Sequence, residues 1–485
     1  MKNKTRQSRF LLKKDVSADL AQKPVLPRTL SAFGLSSMGV GAIVGAGIFI
    51  TPGIIAGKYA GPAVVLSFLL AAIVCSLAAL CYAEFASTIP LAGSAYTYAY
   101  AVFGELIAWV LGWSLVSEYL FAVASVASSW SAYFQNLLAG MGIKLPLFLQ
   151  HANSKGIDLI AILVILAISA LLLVGVSEST RINAGMVIIK ITVILLFIGV
   201  GLFFIKTNHY LPFIPEAFTD SAGVQHYGVG GVIAGAATAF YAYIGFDAVS
   251  TASEEVKNPK RDMPIGIIAS LGIASILYMA LSAVLVGIVN YQDLAKPEHQ
   301  GDPVAFALTV INQNWVAAIV SLGAVIGMTT VLLVMSFGGN RLLFAISRDG
   351  LLPTSFQKIS VKKQVPVRST LIFGSSAALI AGVVPLQTIA ELVNIGTLFA
   401  FAVVSLGILF LRNNEEFTQL SRQGFKVPGY PFVPILSFIL CGILMLQLEK
   451  VTWFVFIIWQ VLGLGLYIGY GYHHSIVRKK QRVLD

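Results

Sequence analysis

The sequence predicts an all-α membrane protein of 12 transmembrane helices, and three observations carry that expectation. Apolar residues make up 57% of the 485-residue chain and charged residues 11%, too few charges to cover an ordinary water-facing surface. The apolar residues are gathered into twelve runs, each long enough to count against the ~20 helical residues that cross a ~30 Å hydrocarbon core. Lysine and arginine concentrate in alternate loops, as they do when cytoplasmic loops retain positive charge.

The runs lie near 31–57, 62–87, 98–135, 157–176, 184–206, 229–256, 264–289, 315–346, 367–386, 389–412, 432–449 and 451–472, and are numbered here as spans 1 to 12. They far exceed the ~10 alternating residues of a membrane β-strand, so a barrel is excluded. A polar, basic segment, 1–30, precedes span 1, and a short one, 473–485, follows span 12. Span 1 is too long and too glycine-broken for a cleaved signal peptide. With twelve spans, and with Lys206, Arg341, Arg368 and Arg412 near span ends counted with the adjoining loops, both tails and the even-to-odd loops share one side and hold 25 basic residues, against six on the other side; Lys190 alone lies deep within a span. That split places both termini in the cytoplasm. The net charge of +10 therefore reports topology, and no nucleic-acid partner is expected.

Cys75, Cys81 and Cys441 fall inside apolar runs and read as small core residues. The six histidines lie in loops or the C-terminal tail, so no metal or redox cofactor is expected. The glycines at 39, 41 and 45 lack the spacing and preceding strand of a dinucleotide loop, and Gly53-Ile-Ile-Ala-Gly57-Lys58-Tyr59 fails the phosphate-loop pattern. No nucleophile stands out with a paired base, and the chain reads as no enzyme.

Two spans are interrupted. Span 1 carries four glycines, Gly39, Gly41, Gly45 and Gly47, in nine residues, and span 6 carries Tyr241-Ala-Tyr-Ile-Gly245-Phe-Asp247. Each glycine costs about 1 kcal/mol of helix stability relative to alanine, so an unwound stretch is expected at both places. Glycine also serves close packing, which suits Gly53, Gly57 and Gly61 at the outer end of span 1. Gly-broken spans five apart point to an inverted-repeat carrier, with spans 1–5 (31–206) and 6–10 (229–412) as the repeats and 432–472 as two added helices. Half-helix N-termini favour an anionic group and freed carbonyls a cation, so a zwitterion such as an α-amino acid suits both ends.

Span 1, with Gly41-Ala-Ile-Val-Gly-Ala-Gly-Ile-Phe49, resembles the substrate loop of the amino acid–polyamine–organocation superfamily. Tyr241–Ser250, Glu254–Pro264 and Arg348-Asp-Gly-Leu-Leu-Pro353 resemble its cationic amino acid transporter family, bacterial members in particular. The resemblance implies a leucine-transporter-like (LeuT-like) fold of 5+5 helices. It also implies that the main chain of Ile43, Gly45, Ala46, Gly47, Tyr241, Ala242 and Ile244 holds the substrate's ammonium and carboxylate.

Ionisable groups within the bilayer are costly and default to functional candidates. Lys190 lies about 10 Å into span 5 at 1.5 Å per residue, where it either snorkels to the interface or, as the resemblance implies, sits between spans 1 and 8 and replaces a sodium ion. There it would load and release the coupling proton, with Thr329 and Thr330 as acceptors. Glu118 in span 3 is either a structural carboxyl bonded to a carbonyl of span 1 or a substrate-side residue: a second protonation site or a counter-charge for a cationic side chain. Asp247 is expected to cap the half-helix that follows it, and Glu84 to pair with a loop or helix terminus. Pro90–Tyr98 is uncharged and resembles the family's inner gate. Met328 is a gap-filler or, by resemblance, the residue that limits substrate side-chain size.

The expectation is a proton-coupled amino-acid carrier in the plasma membrane, for neutral or varied substrates. An exchanger, a cationic amino acid carrier and a transport-inactive sensor stand as alternatives, with a channel behind them. The lipid bilayer and an amino acid are the expected partners; a single-helix accessory subunit is left open.

Overall fold

The computed structural model describes residues 12–14, 30–91, 93–140, 142–143, 146, 157–174, 180–219, 225–296, 299–358, 366–414, 417 and 424–479. The greater part of both tails, 1–11, 15–29 and 480–485, lies outside the described residues. Helices dominate. In order they are α1 (Ala32–Ile43), α2 (Ala46–Ile55), α3 (Val64–Thr88), α4 (Ser94–Val102), α5 (Glu105–Gly140), α6 (Leu159–Val174) and α7 (Thr180–Gly201). There follow α8 (Gly228–Ala239), α9 (Ala248–Thr251), α10 (Pro259–Ile288), α11 (Tyr291–Leu294), α12 (Pro303–Val310) and α13 (Asn314–Arg348). The last five are α14 (Val367–Val383), α15 (Leu386–Arg412), α16 (Phe432–Leu446), α17 (Lys450–Leu466) and α18 (Tyr472–His474). One two-stranded ribbon, β1 (Phe218–Thr219) against β2 (Gln225–His226), precedes α8.

Among the described residues, eight helical runs are long and apolar enough to cross a bilayer. Four shorter apolar helices, α1, α6, α14 and α16, accompany them. Large apolar side chains stand exposed on the outer faces, including Phe203, Leu379, Phe432 and Leu446, which is the surface that hydrocarbon solvates. The protein is a helical, multi-pass membrane protein.

Chain chemistry sets the ends that matter. The Ser31 hydroxyl accepts from the Gly34 amide and starts α1, and Pro259 occupies the first turn of α10, where a missing N–H costs nothing. Gly53 and Gly57 pack closely, as expected: a Cβ on Gly57 would lie 2.6 Å from the Ala295 nitrogen, and one on Gly53 would strike Pro303. The Pro90–Tyr98 segment contributes to α4, which is buried along its length.

Leu30 forms a parallel bridge with Val256, and Arg341 of α13 pairs with Glu255 at 3.2 Å. Glu84, fully buried, receives Arg412 Nε at 2.8 Å and a second guanidinium nitrogen at 2.7 Å, together with the Val427 amide at 2.7 Å. It thus pairs with a helix terminus and a loop at once, as expected.

Candidate functional site

Helix α1 stops at Ile43, Val44 and Gly45 leave helical geometry, and α2 begins at Ala46. No side chain caps α2, so the amides of its first turn are not taken by a capping group and face the break. The second break is longer. After α8 the chain tightens into a 3-10 turn, Phe240–Tyr243, opens at Ile244 and resumes helix at Ala248. Gly245 has φ +116°, a conformation that a side chain would strain.

The two breaks touch without side chains between them. A Cβ on Gly47 would lie 2.5 Å from Ala242 Cα, and one on Gly245 would lie 3.0 Å from the Ala42 carbonyl. Tyr278 of α10 places its hydroxyl 2.8 Å from Ile43 O and 2.7 Å from Ala242 O, one carbonyl from each break. A hydroxyl has one proton, so it serves the two acceptors in turn or unequally. Ile43, Gly45, Ala46, Gly47, Tyr241, Ala242 and Ile244 are thereby gathered into one buried junction. The Tyr241 hydroxyl turns away to Ser125 of α5 at 2.8 Å.

Helix α13 forms a neighbouring wall. A Cβ on Gly45 would approach Val331 to 2.9 Å. Met328 is fully buried and lies three residues before Val331, hence on the same face of α13.

Lys190 of α7 is fully buried and donates to Gly41 O at 2.8 Å. Its aliphatic stem passes Gly327, where a Cβ would meet Lys190 Cγ at 3.1 Å. The side chain therefore sits between the end of α1 and α13 and does not snorkel. Thr329 donates to Val325 O and receives the Trp130 indole, and Thr330 donates to Gly327 O.

Glu118 is placed differently from one expectation. It is buried against α15, where a Cβ on Gly396 would lie 3.7 Å from Glu118 Cβ, and no carbonyl of span 1 among the described residues is seen to bond it. Its Oε2 has no partner among the described residues. Asp247 is a correction. It occupies the position before α9 but makes no capping hydrogen bond, and its Oδ2 is likewise unpartnered. Its backbone is already in the helical region, φ −68° and ψ −27°, whereas a capping residue is typically extended.

Comparison with known proteins decides the family. A model described as amino acid permease matches residues 30–467. The chain belongs to the amino acid permease family. Within the amino acid–polyamine–organocation superfamily it is similar to a methylthioribose transporter of Bacillus subtilis, 46% identical over 94% of this chain and 95% of that one. It is as similar to the branched-chain amino acid permease BcaP of the same organism, 45% identical over 95% of this chain and 97% of that one. The vacuolar cationic amino acid transporter 4 of Arabidopsis thaliana is 37% identical over 85% of this chain and 67% of that one. The chain is a transporter and not an enzyme.

Three positions in this permease were missed in the sequence: Tyr278, Ser125 and Asn394, whose amide nitrogen donates to Ala237 O at 3.1 Å beside the second break. All are uncharged, and a search for charge within spans passes over them. Asn394 was the most findable, since an amide in an apolar run needs a partner.

Gly47 leaves no room for a side chain. Gly47→Ala is expected to lower uptake at least about tenfold, because separating backbones this close costs about 1–3 kcal/mol of overpacking. Initial uptake rates, with detergent elution profiles as the folding control, check this; an unimpaired rate would show that the breaks need not touch.

Proposed function

We propose that this permease is a twelve-span secondary carrier that imports neutral amino acids across the plasma membrane by proton symport. In this reading spans 1–5 and 6–10 form a 5+5 inverted repeat of LeuT-like fold, two helices follow, and both termini are cytoplasmic. The substrate's carboxylate and ammonium lie on the unwound main chain at Ile43–Gly47 and Tyr241–Ile244. The proton is the coupling ion and no other cofactor takes part. The junction of the two breaks, bridged by Tyr278 with Lys190 directly behind Gly41, carries the proposal. It brings amides suited to an anion and a cation-bearing side chain to one place.

Neutral substrates are favoured because the junction is lined by Ile43, Ile244 and the α13 face of Met328 and Val331, and Glu118 is buried against α15. The relative named for branched-chain amino acids fits that lining. The equally similar one named for methylthioribose brings a thioether with no α-carboxylate, so it belongs in the same test. Met328→Ser is expected to widen the profile towards larger or polar side chains, changing the arginine-to-leucine uptake ratio by about tenfold, the scale of one or two apolar groups in a pocket. An unaltered profile would remove Met328 from the pocket wall.

The deciding experiment is uptake of radiolabelled alanine, leucine, arginine and methylthioribose into proteoliposomes under an inward proton gradient without sodium, with and without protonophore. Protonophore-sensitive accumulation of leucine or alanine is expected. Uptake driven only by internal substrate would make the protein an exchanger, and binding without uptake a sensor.

A further inference from the structure

Two carboxylates at the cytoplasmic end of the proposed carrier bind more than its spans require. Glu105 begins α5 and Asp349 follows α13. Each receives one tyrosine from α4: Tyr100 donates to Glu105 Oε2 at 3.0 Å, and Tyr96 to Asp349 Oδ2 at 2.8 Å. Each also receives a residue from beyond the spans. Arg478 donates to Glu105 Oε1 at 2.7 Å, and Ser475 also donates to Glu105. Lys14 Nζ lies 3.0 Å from Asp349 Oδ1.

The main chain crosses the two hubs. The Glu105 amide donates to Leu12 O at 3.0 Å, so the N-terminal segment touches the hub held by the C-terminal one. The Ile476 amide donates to Asp349 O at 3.1 Å, which completes the reverse connection. The Lys14 amide reaches Tyr100 O at 3.4 Å. Arg478 is buried, lies over the Tyr472 ring and also donates to the Tyr467 hydroxyl at 2.8 Å. Both segments thus close over the outer surface of one short helix.

That helix reaches the second break. Ser94, the first residue of α4, accepts from the Ser250 hydroxyl of α9 at 2.7 Å, and α9 follows the opened segment directly. Tyr98 of α4 stacks on Phe85 with ring centroids 4.9 Å apart. Helix α4 thus lies between the second break and the two tail segments, held at Tyr96 and Tyr100.

We propose that residues 12–14 and 474–478 form a two-part latch that fastens α4 through Asp349 and Glu105, so that the tails set how readily the inner side opens. The latch rests on the carrier reading with cytoplasmic termini. The Lys14–Asp349 pair, at 14% and 11% side-chain exposure, is the more water-accessible half and the one easier to break. The Arg478–Glu105 pair, 7% and 0% exposed, is the firm half, since breaking a buried pair is costly.

The test uses the full chain, purified and reconstituted inside-out, with Ala99→Cys of α4 as the reporter. Its labelling rate by a membrane-impermeant maleimide is read in the parent, Lys14→Gln, Arg478→Gln and Arg478→Lys backgrounds. Lys14→Gln is expected to raise the rate about threefold and Arg478→Gln more, with Arg478→Lys in between, as a shift of a two-state opening predicts. Elution profiles separate opening from unfolding, and should Arg478→Gln fail to fold, Lys14→Gln decides alone. Labelling unchanged by Lys14→Gln overturns the latch. The readout needs neither substrate nor proton gradient, so a failure of the symport reading leaves it intact, and its own failure leaves symport untouched.

Discussion

Lys190→Ala is expected to abolish uphill, proton-driven accumulation while leaving substrate binding and downhill exchange measurable. The amine is wholly out of water and donates to Gly41 O, three residues before the unwound Val44. A charged amine there holds the carbonyl end of α1, with a charge-assisted bond worth about 1.5–3 kcal/mol. A neutral amine holds it far more weakly, so in the proposed mechanism proton loss and gain would be tied to the position of the first break. Without the amine, that tie is gone, whereas the main-chain groups that would bind an amino acid are untouched. Lys190→Arg is expected to fail as well, because a guanidinium does not release its proton in proteins. Accumulation and its protonophore sensitivity, read beside substrate-dependent thermal stabilisation in detergent, check both variants. Lys190→Ala with full proton-driven accumulation and normal binding would falsify the coupling role.

The parts of this arrangement legible in the sequence are those marked by costly residues. Four glycines in nine positions announced the first break, and it falls at Val44–Gly45. A lone lysine inside an apolar run announced Lys190, because lipid admits such a group only with a partner. Glu84 was readable for the same reason. The outcome for Asp247 differed because capping depends on backbone angles that composition does not reveal. Tyr278 was invisible for another reason: a tyrosine in an apolar run is ordinary, and only the approach of two carbonyls 199 positions apart in sequence, those of Ile43 and Ala242, gives it a task. The tail contacts were equally hidden, since Glu105 and Arg478 are separated by 373 residues and look solvated when read singly.

Arg412→Ala is expected to destabilise the permease by about 3–5 kcal/mol, the cost of leaving a buried carboxylate without its counter-charge. Glu84 is fully buried in α3, and Arg412 at the end of α15 grips both its oxygens while also donating to Val427 O at 3.0 Å. The Val427 amide alone would remain as a donor to the carboxylate. Two alternatives separate burial cost from net attraction. If the pair acts mainly by mutual cancellation of charge, the double variant Glu84→Met/Arg412→Met recovers most of the loss, because no uncompensated ion remains. If Arg412 is needed chiefly to tie the 424–427 segment to α15, the double variant stays as unstable as Arg412→Ala. Thermal unfolding of the purified full chain in detergent measures all three, and the first outcome is expected: Glu84 is fully buried and accepts two hydrogen bonds from the guanidinium, so the uncompensated carboxylate outweighs the contacts of Arg412 with Val427 O and the Tyr430 ring. An Arg412→Ala protein as stable as the parent would mean that water reaches Glu84 and satisfies it.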